Sequence, residues 1–174
     1  VPARDSQRAR VYESEMLLRT MFDRADTAHA GRSVEIAGST VTLPIERRFA
    51  SIDSVQTYVD AVLALQDVRR RYPRAARRCR VRARAGQGAA HYEHDAAVIA
   101  VPLHVAGHAW AMRELVVLHE IAHHLESRDP ETTPHAAHGP EFTARLLDLL
   151  DRVVGPEAAF VLRCIYGRND VRVG

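Results

Sequence analysis

The chain contains no lysine: all 24 of its basic residues are arginine. Together with the many alanines, this points to a GC-rich bacterial genome and carries no chemical message. Cysteine is nearly absent. Cys79 and Cys164 are the only two and neither stands in a CxxC pair, which excludes a disulfide framework. A reducing cytoplasm is therefore the expected compartment. No apolar run reaches the length of a membrane span, because Arg, Glu or His interrupts every long one. The opening Val1-Pro2-Ala3-Arg4-Asp5 lacks a signal-peptide core. It also lacks an initiator Met, so a start shortened by a few residues is expected.

What is present is the composition of a globular protein, 174 residues with 47% hydrophobic and 26% charged side chains. That length suits one domain with a core of its own, and a single domain over residues 1–174 is the expectation. The net charge of +2 is unevenly spread. Between Arg69 and Arg84 stand nine arginines and no acid, which leaves 15 arginines against 22 acids elsewhere, a net of −7. The basic stretch is thus a local feature of an otherwise acidic chain.

Periodicity orders the elements. Residues 5–26 read as a helix with Val11, Met16, Leu17, Leu18, Met21 and Phe22 on its apolar side. A turn at His29 to Ser33 leads into a β-hairpin over Val34 to Glu46, which alternates around Gly38-Ser39-Thr40. A second helix is predicted from Ser54 to Arg71, capped by Asp53 or Ser54, with Val55, Tyr58, Val59, Val62 and Leu63 facing inward and Tyr72-Pro73 ending it. Arg80 to Arg84 alternates as an exposed strand. Gly86-Gln87-Gly88 turns the chain, and Ala96 to Leu103 reads as a buried strand. A long helix follows over Trp110 to Arg128, then a polar loop from Asp129 to His138, then helices over Pro140 to Val154 and Pro156 to Tyr166. The sum is an α+β fold, a small, mostly antiparallel sheet flanked by helices.

The chemistry concentrates in His119-Glu120-Ile121-Ala122-His123, an HExxH inside the long helix. Leu115, Leu118, Ala122 and Leu125 give that helix its apolar stripe without any Gly or Pro. Residues four apart share one helix face, so both imidazoles can reach one ion. Glu120, about 100° around the helix from His119, can approach a water beside that ion. HExxH on a helix is the pattern of zinc hydrolases, with the Glu as general base. Such a site needs a third protein ligand and one open position. The spacing HExxHxxGxxH fails, because Glu126 and Asp129 stand where Gly and His belong. Downstream, His135, His138 and Glu141 are the candidates. His138 has the most local support: Gly139 frees the backbone, Pro140 suits a first helical turn, and Phe142 can anchor the helix. The 14 residues between His123 and His138 are long enough to return to the site.

HExxH followed by His138-Gly139-Pro140-Glu141-Phe142 resembles the compact zincins of the SprT-like group over about residues 96–145. With Arg4-Asp5-Ser6-Gln7-Arg8-Ala9-Arg10-Val11-Tyr12 added, most of the chain is similar to a family of uncharacterised actinobacterial metallohydrolases. The resemblance implies His119, His123 and His138 as zinc ligands and Glu120 as catalytic base; it implies no substrate. Unlike SprT-like proteins, the chain has no cysteine ribbon after the HExxH core, which speaks against a DNA-repair role.

The expected function is a zinc-dependent hydrolase, foremost a cytoplasmic metallopeptidase. Zn²⁺ activates water and polarises a carbonyl while Glu120 moves the proton. If Ala96 to Leu103 lies at a sheet edge, an extended peptide can bind there by strand addition. Tyr92, His94, His104 and His108 are candidates to stabilise the oxyanion. The alternative is a non-catalytic zinc domain that binds nucleic acid or a protein through Arg69 to Arg84. Against nucleic acid, Tyr72 is the one aromatic beside that run. The plainer readings make the arginines a solvated or ion-paired surface, His124 a helix-surface histidine or one behind the ligands, His91 a surface histidine, and both cysteines small core residues.

Overall fold

In the computed structural model, residues 4–27, 31–86, 89–103, 111–127 and 135–174 are described. They form six helices and five strands, an α+β arrangement as the sequence predicts. No helix among them is long and apolar enough to cross a membrane. Outside the described residues lie His104 and His108, both ends of the predicted Trp110–Arg128 helix, Gln87 and Gly88 of the predicted turn, His29, and most of the loop after Asp129. The chain divides into two compact units, Val1–Glu46 with Pro130–Gly174, and Arg47–Asp129.

The first unit holds α1 (Arg8–Thr27), the hairpin β1 (Ser33–Ile36) and β2 (Ser39–Thr42), α5 (Pro140–Val153) and α6 (Pro156–Arg168). Along α1 the buried positions are Val11, Ser14, Glu15, Leu18, Phe22 and Ala25, steps of three and four that keep one face inward. Met16 and Leu17 lie off that stripe and are exposed. In the hairpin Ile36 pairs with Ser39, so the turn is Ala37-Gly38 rather than the Gly38-Ser39-Thr40 expected. Both turn residues have positive φ, 50° and 77°, the two-residue turn whose twist matches paired strands. Pro140 and Pro156 each open a helix where a missing N–H costs nothing. Phe142, Leu146, Leu149 and Leu150 then carry α5 into the core against α6, which also packs on α1.

The second unit holds α2 (Ile52–Ala64), α3 (Gln66–Arg71), a 3-10 turn at Pro73–Ala76, β3 (Arg80–Arg84), β4 (His91–Glu93), β5 (Val98–Pro102) and α4 (Glu114–His124). The single helix expected over Ser54 to Arg71 is two. Its cap is Ser51, whose hydroxyl accepts from the Ser54 N–H while the Ser54 hydroxyl accepts from the Ser51 N–H. At Leu65 the backbone turns extended, and Arg69 Nε donates to the freed Leu63 carbonyl at 3.1 Å. The sheet order is β3-β5-β4, with β3 parallel and β4 antiparallel to β5. The three-residue β4, absent from the sequence reading, explains this mixture. The chain crosses to the far side as β4 and folds back into the middle as β5. β5 is buried along its whole length and paired on both sides, which overturns the expected edge at Ala96 to Leu103.

Candidate metal centre

α4 is buried nearly all round, and its first residue shows how it is fixed. Glu114 is fully buried at the helix N-terminus, where a carboxylate complements the macrodipole. It accepts from Arg47 Nη1 at 2.6 Å, the Arg47 N–H at 3.0 Å and the Tyr58 hydroxyl at 2.7 Å. Bonding to Glu114 in turn holds the Arg47 guanidinium above its ordinary pKa. The Glu114 N–H donates to the Arg47 carbonyl, and Phe49 N–H to the Met112 carbonyl, so Arg47 to Phe49 lines the entry to the helix.

The other end is fixed by Arg74. Its Nε donates to the carbonyl of His124, the last residue of α4, at 2.7 Å. Its Nη2 reaches the Tyr92 hydroxyl at 3.1 Å and the His94 carbonyl at 3.0 Å. The imidazole of His124 is fully buried, and burial pushes its pKa down to about 4. A neutral ring donates through one nitrogen and accepts through the other. Nε2, 3.0 Å from the Arg77 carbonyl, is therefore the donor, and Nδ1 accepts from the Tyr92 hydroxyl at 2.8 Å. His124 is thus a hydrogen-bonded core residue. Tyr92, a candidate for the oxyanion, has its hydroxyl committed to His124 and Arg74.

Between these anchors stand the HExxH side chains. His119 and Glu120 are buried and His123 is half-buried. The Nε2 atoms of His119 and His123 approach to 3.1 Å. Two imidazole nitrogens on one tetrahedral zinc, each about 2.0–2.1 Å from it, sit about 3.3–3.4 Å apart, so the pair is at ligand spacing. In the first unit His138 precedes α5, and one carboxylate grips it twice. Asp5 Oδ2 lies 2.7 Å from Nδ1, and Oδ1 accepts from the His138 N–H at 3.2 Å. Among the described residues one group of three can hold a metal ion. His119, His123 and His138 each offer one ring nitrogen, and these atoms lie within 4.8 Å of one another. A set of three imidazole nitrogens suits zinc and other borderline divalent ions.

The rival third ligands go elsewhere: His135 Nδ1 pairs with Glu141 Oε1 at 3.2 Å, both largely exposed. His91, also exposed, contacts Arg84 and Glu93. The His94 ring stands edge-on to Tyr92, with 5.8 Å between centroids. Much of the arginine run serves its own fold. Arg69, Arg74 and Arg77 take carbonyl groups, Arg70 pairs with Asp67, Arg82 with Glu93, and Arg84 Nη1 donates to the Ala89 carbonyl at 2.7 Å. Cys79 is fully buried and Cys164 partly so, both as free thiols.

The sequence reading missed Asp5, Gln7 and Arg74 as supporting groups. Asp5 and Gln7 lie in the opening string that carried the family resemblance, but nothing in their spacing ties them to a residue more than 130 positions away. Compared with protein-family models, with curated proteins and with solved structures, the chain finds no match in any of the three.

Proposed function

We propose that the protein is a zinc-dependent hydrolase, foremost a metallopeptidase, in which His119, His123 and His138 hold the ion and Glu120 is the general base. The observation that carries this reading is the group of three imidazole donors with a buried glutamate adjacent to one of them in the helix. A site that only stabilises a fold closes all four positions with protein groups, whereas the three histidines found among the described residues would leave one open. Zinc held there would supply Lewis acidity, lowering the pKa of a water towards neutral and polarising a carbonyl. The chain's own part is positioning and proton transfer. The three imidazoles would hold the ion, and the buried Glu120 carboxylate would take a proton and return it to the leaving amine. The resemblance of HExxH and HGPEF to compact zincins supports the same assignment.

Amide substrates are supported by the sheet. β5 is interior, and Gln56 partly covers β3, its Oε1 accepting from the Val81 N–H at 2.7 Å. Among the described residues β4 is the other edge, and it packs on α4. An extended peptide that pairs with a strand finds its place along His91 to Glu93.

Elemental analysis of the purified protein tests the metal: one zinc per chain is expected, lost in His138→Ala. Cleavage of labelled casein and quenched fluorescent peptides tests the chemistry. Glu120→Gln should keep zinc and lower the rate about 10²–10⁴-fold, the usual contribution of a positioned base. Absence of zinc, with none taken up when it is added back, would remove the reading entirely. Zinc retained with cleavage unchanged in Glu120→Gln would remove the base.

A further inference from the structure

We infer that Asp5 is a positioning residue for the metal ligand His138, setting which ring nitrogen faces the ion and holding the ring in place. The inference rests on the zinc reading above. A histidine just ahead of a helix has two rotatable side-chain bonds and no helical turn to restrain it. His138 is nevertheless held at several points. The Asp5 carboxylate spans the ring Nδ1 at 2.7 Å and the backbone N–H at 3.2 Å. Gln7 Nε2 donates to the His138 carbonyl at 2.8 Å. Tyr12 and Phe142 lie against the ring, each with centroids 5.0 Å from it.

Gln7 is itself fixed. Its Nε2 also donates to the Arg172 carbonyl at 3.1 Å, and its Oε1 accepts from the Arg172 N–H at 3.1 Å. Thr143 Oγ1 donates to the same Arg172 carbonyl at 2.8 Å, and the Gly174 N–H donates to the Pro140 carbonyl at 2.9 Å. Residues 5–7 and 172–174 thus brace the segment His138 to Pro140 from two sides. A carboxylate only accepts, so Nδ1–H is the donor to Asp5, and a neutral ring then has its lone pair on Nε2, the form a metal needs. A carboxylate behind a ligating imidazole fixes its tautomer and raises its basicity. A purely structural ion pair needs neither a defined tautomer nor an outward-facing nitrogen.

The test compares wild type, Asp5→Asn and Asp5→Glu. Zinc affinity is read by competition with a chromophoric chelator, the ligand field by the visible spectrum of the Co²⁺ form, and stability by melting of the metal-free protein. Asp5→Asn should weaken zinc binding about 10–100-fold. It should also alter the Co²⁺ bands and leave metal-free melting close to wild type. Asp5→Glu, which keeps a carboxylate, should recover part of the affinity even if Asp5→Asn folds poorly. Equal affinity and identical Co²⁺ spectra in all three proteins would overturn the role of Asp5 while leaving the zinc reading intact. A fall in metal-free melting that accounts for the whole loss of affinity would overturn it as well. A wild type that binds neither Zn²⁺ nor Co²⁺ would overturn the zinc reading and this inference with it.

Discussion

Arg74→Ala should be among the most destabilising surface-accessible changes in the protein. The side chain serves three acceptors, the His124 carbonyl at 2.7 Å, the His94 carbonyl at 3.0 Å and the Tyr92 hydroxyl at 3.1 Å. The first is the closing carbonyl of α4, on a residue fully buried. Hydrogen bonds to a charged partner contribute about 1.5–3 kcal/mol each, and groups left unsatisfied cost about 1–3. Arg74 is itself only half-buried, and the three bonds are not additive, so a total of about 3–5 kcal/mol is expected. For a chain of this length, 1 kcal/mol moves the melting point by about 2–4 °C, which makes a fall of about 6–20 °C. The assay is urea unfolding followed by circular dichroism, with metal stripped from both proteins so that binding does not mask stability. Arg70→Ala is the control: it removes an exposed pair with Asp67 and should cost under about 0.5 kcal/mol. Arg74→Lys, a point charge without the planar fork, should fall between. If Arg74→Ala costs no more than Arg70→Ala, the network does not hold the end of the helix. If it instead lowers affinity for a polyanion at unchanged stability, the arginine run is a contact surface.

Two further outcomes follow from particular residues. Burial pushes the Cys79 thiol up to about 12, against an ordinary value of 9.0. The folded state thus keeps its proton while the unfolded state releases it. Its contribution to stability is full below about pH 9 and falls by roughly 1.4 kcal/mol per unit towards pH 12. In native protein at pH 8, iodoacetamide should modify Cys164 first, and equal labelling by mass spectrometry would contradict the burial argument. Ala37 sits at φ 50° in the hairpin turn, a region that costs a residue with a Cβ roughly 1–2 kcal/mol. Asn tolerates it, so Ala37→Asn should raise stability by about 0.5–1 kcal/mol in the same urea titration, and a loss would refute the turn assignment.

The histidine pair was legible in the sequence because a helix turns spacing into geometry: residues four apart must share a face, whatever the rest of the chain does. The third member of the histidine group was legible for a different reason, since Gly139 and Pro140 mark a helix start and so place His138 at a loop end. The mixed sheet was not. β4 is three residues long and carries His, Tyr and Glu, with no apolar alternation to announce it. Without it, β5 reads as an edge when it is the centre. The same limit applies to chemistry. Asp5 and His138 are held together by two hydrogen bonds across 133 positions, and Arg74 meets His124 across 50. Neither contact has any local pattern. A run of nine arginines in sixteen residues reads locally as a charged surface, yet several of these arginines donate to backbone carbonyl groups. The first consequence for function is that α4 is held at both ends by groups remote in sequence, Glu114 through Arg47 and Tyr58, His124 through Arg74 and Tyr92. If His119 and His123 hold an ion as proposed, a pair on a helix fixed at both termini would adjust little to it. On the proposed metal reading, the fit of an ion would depend on these supports as well as on the histidines.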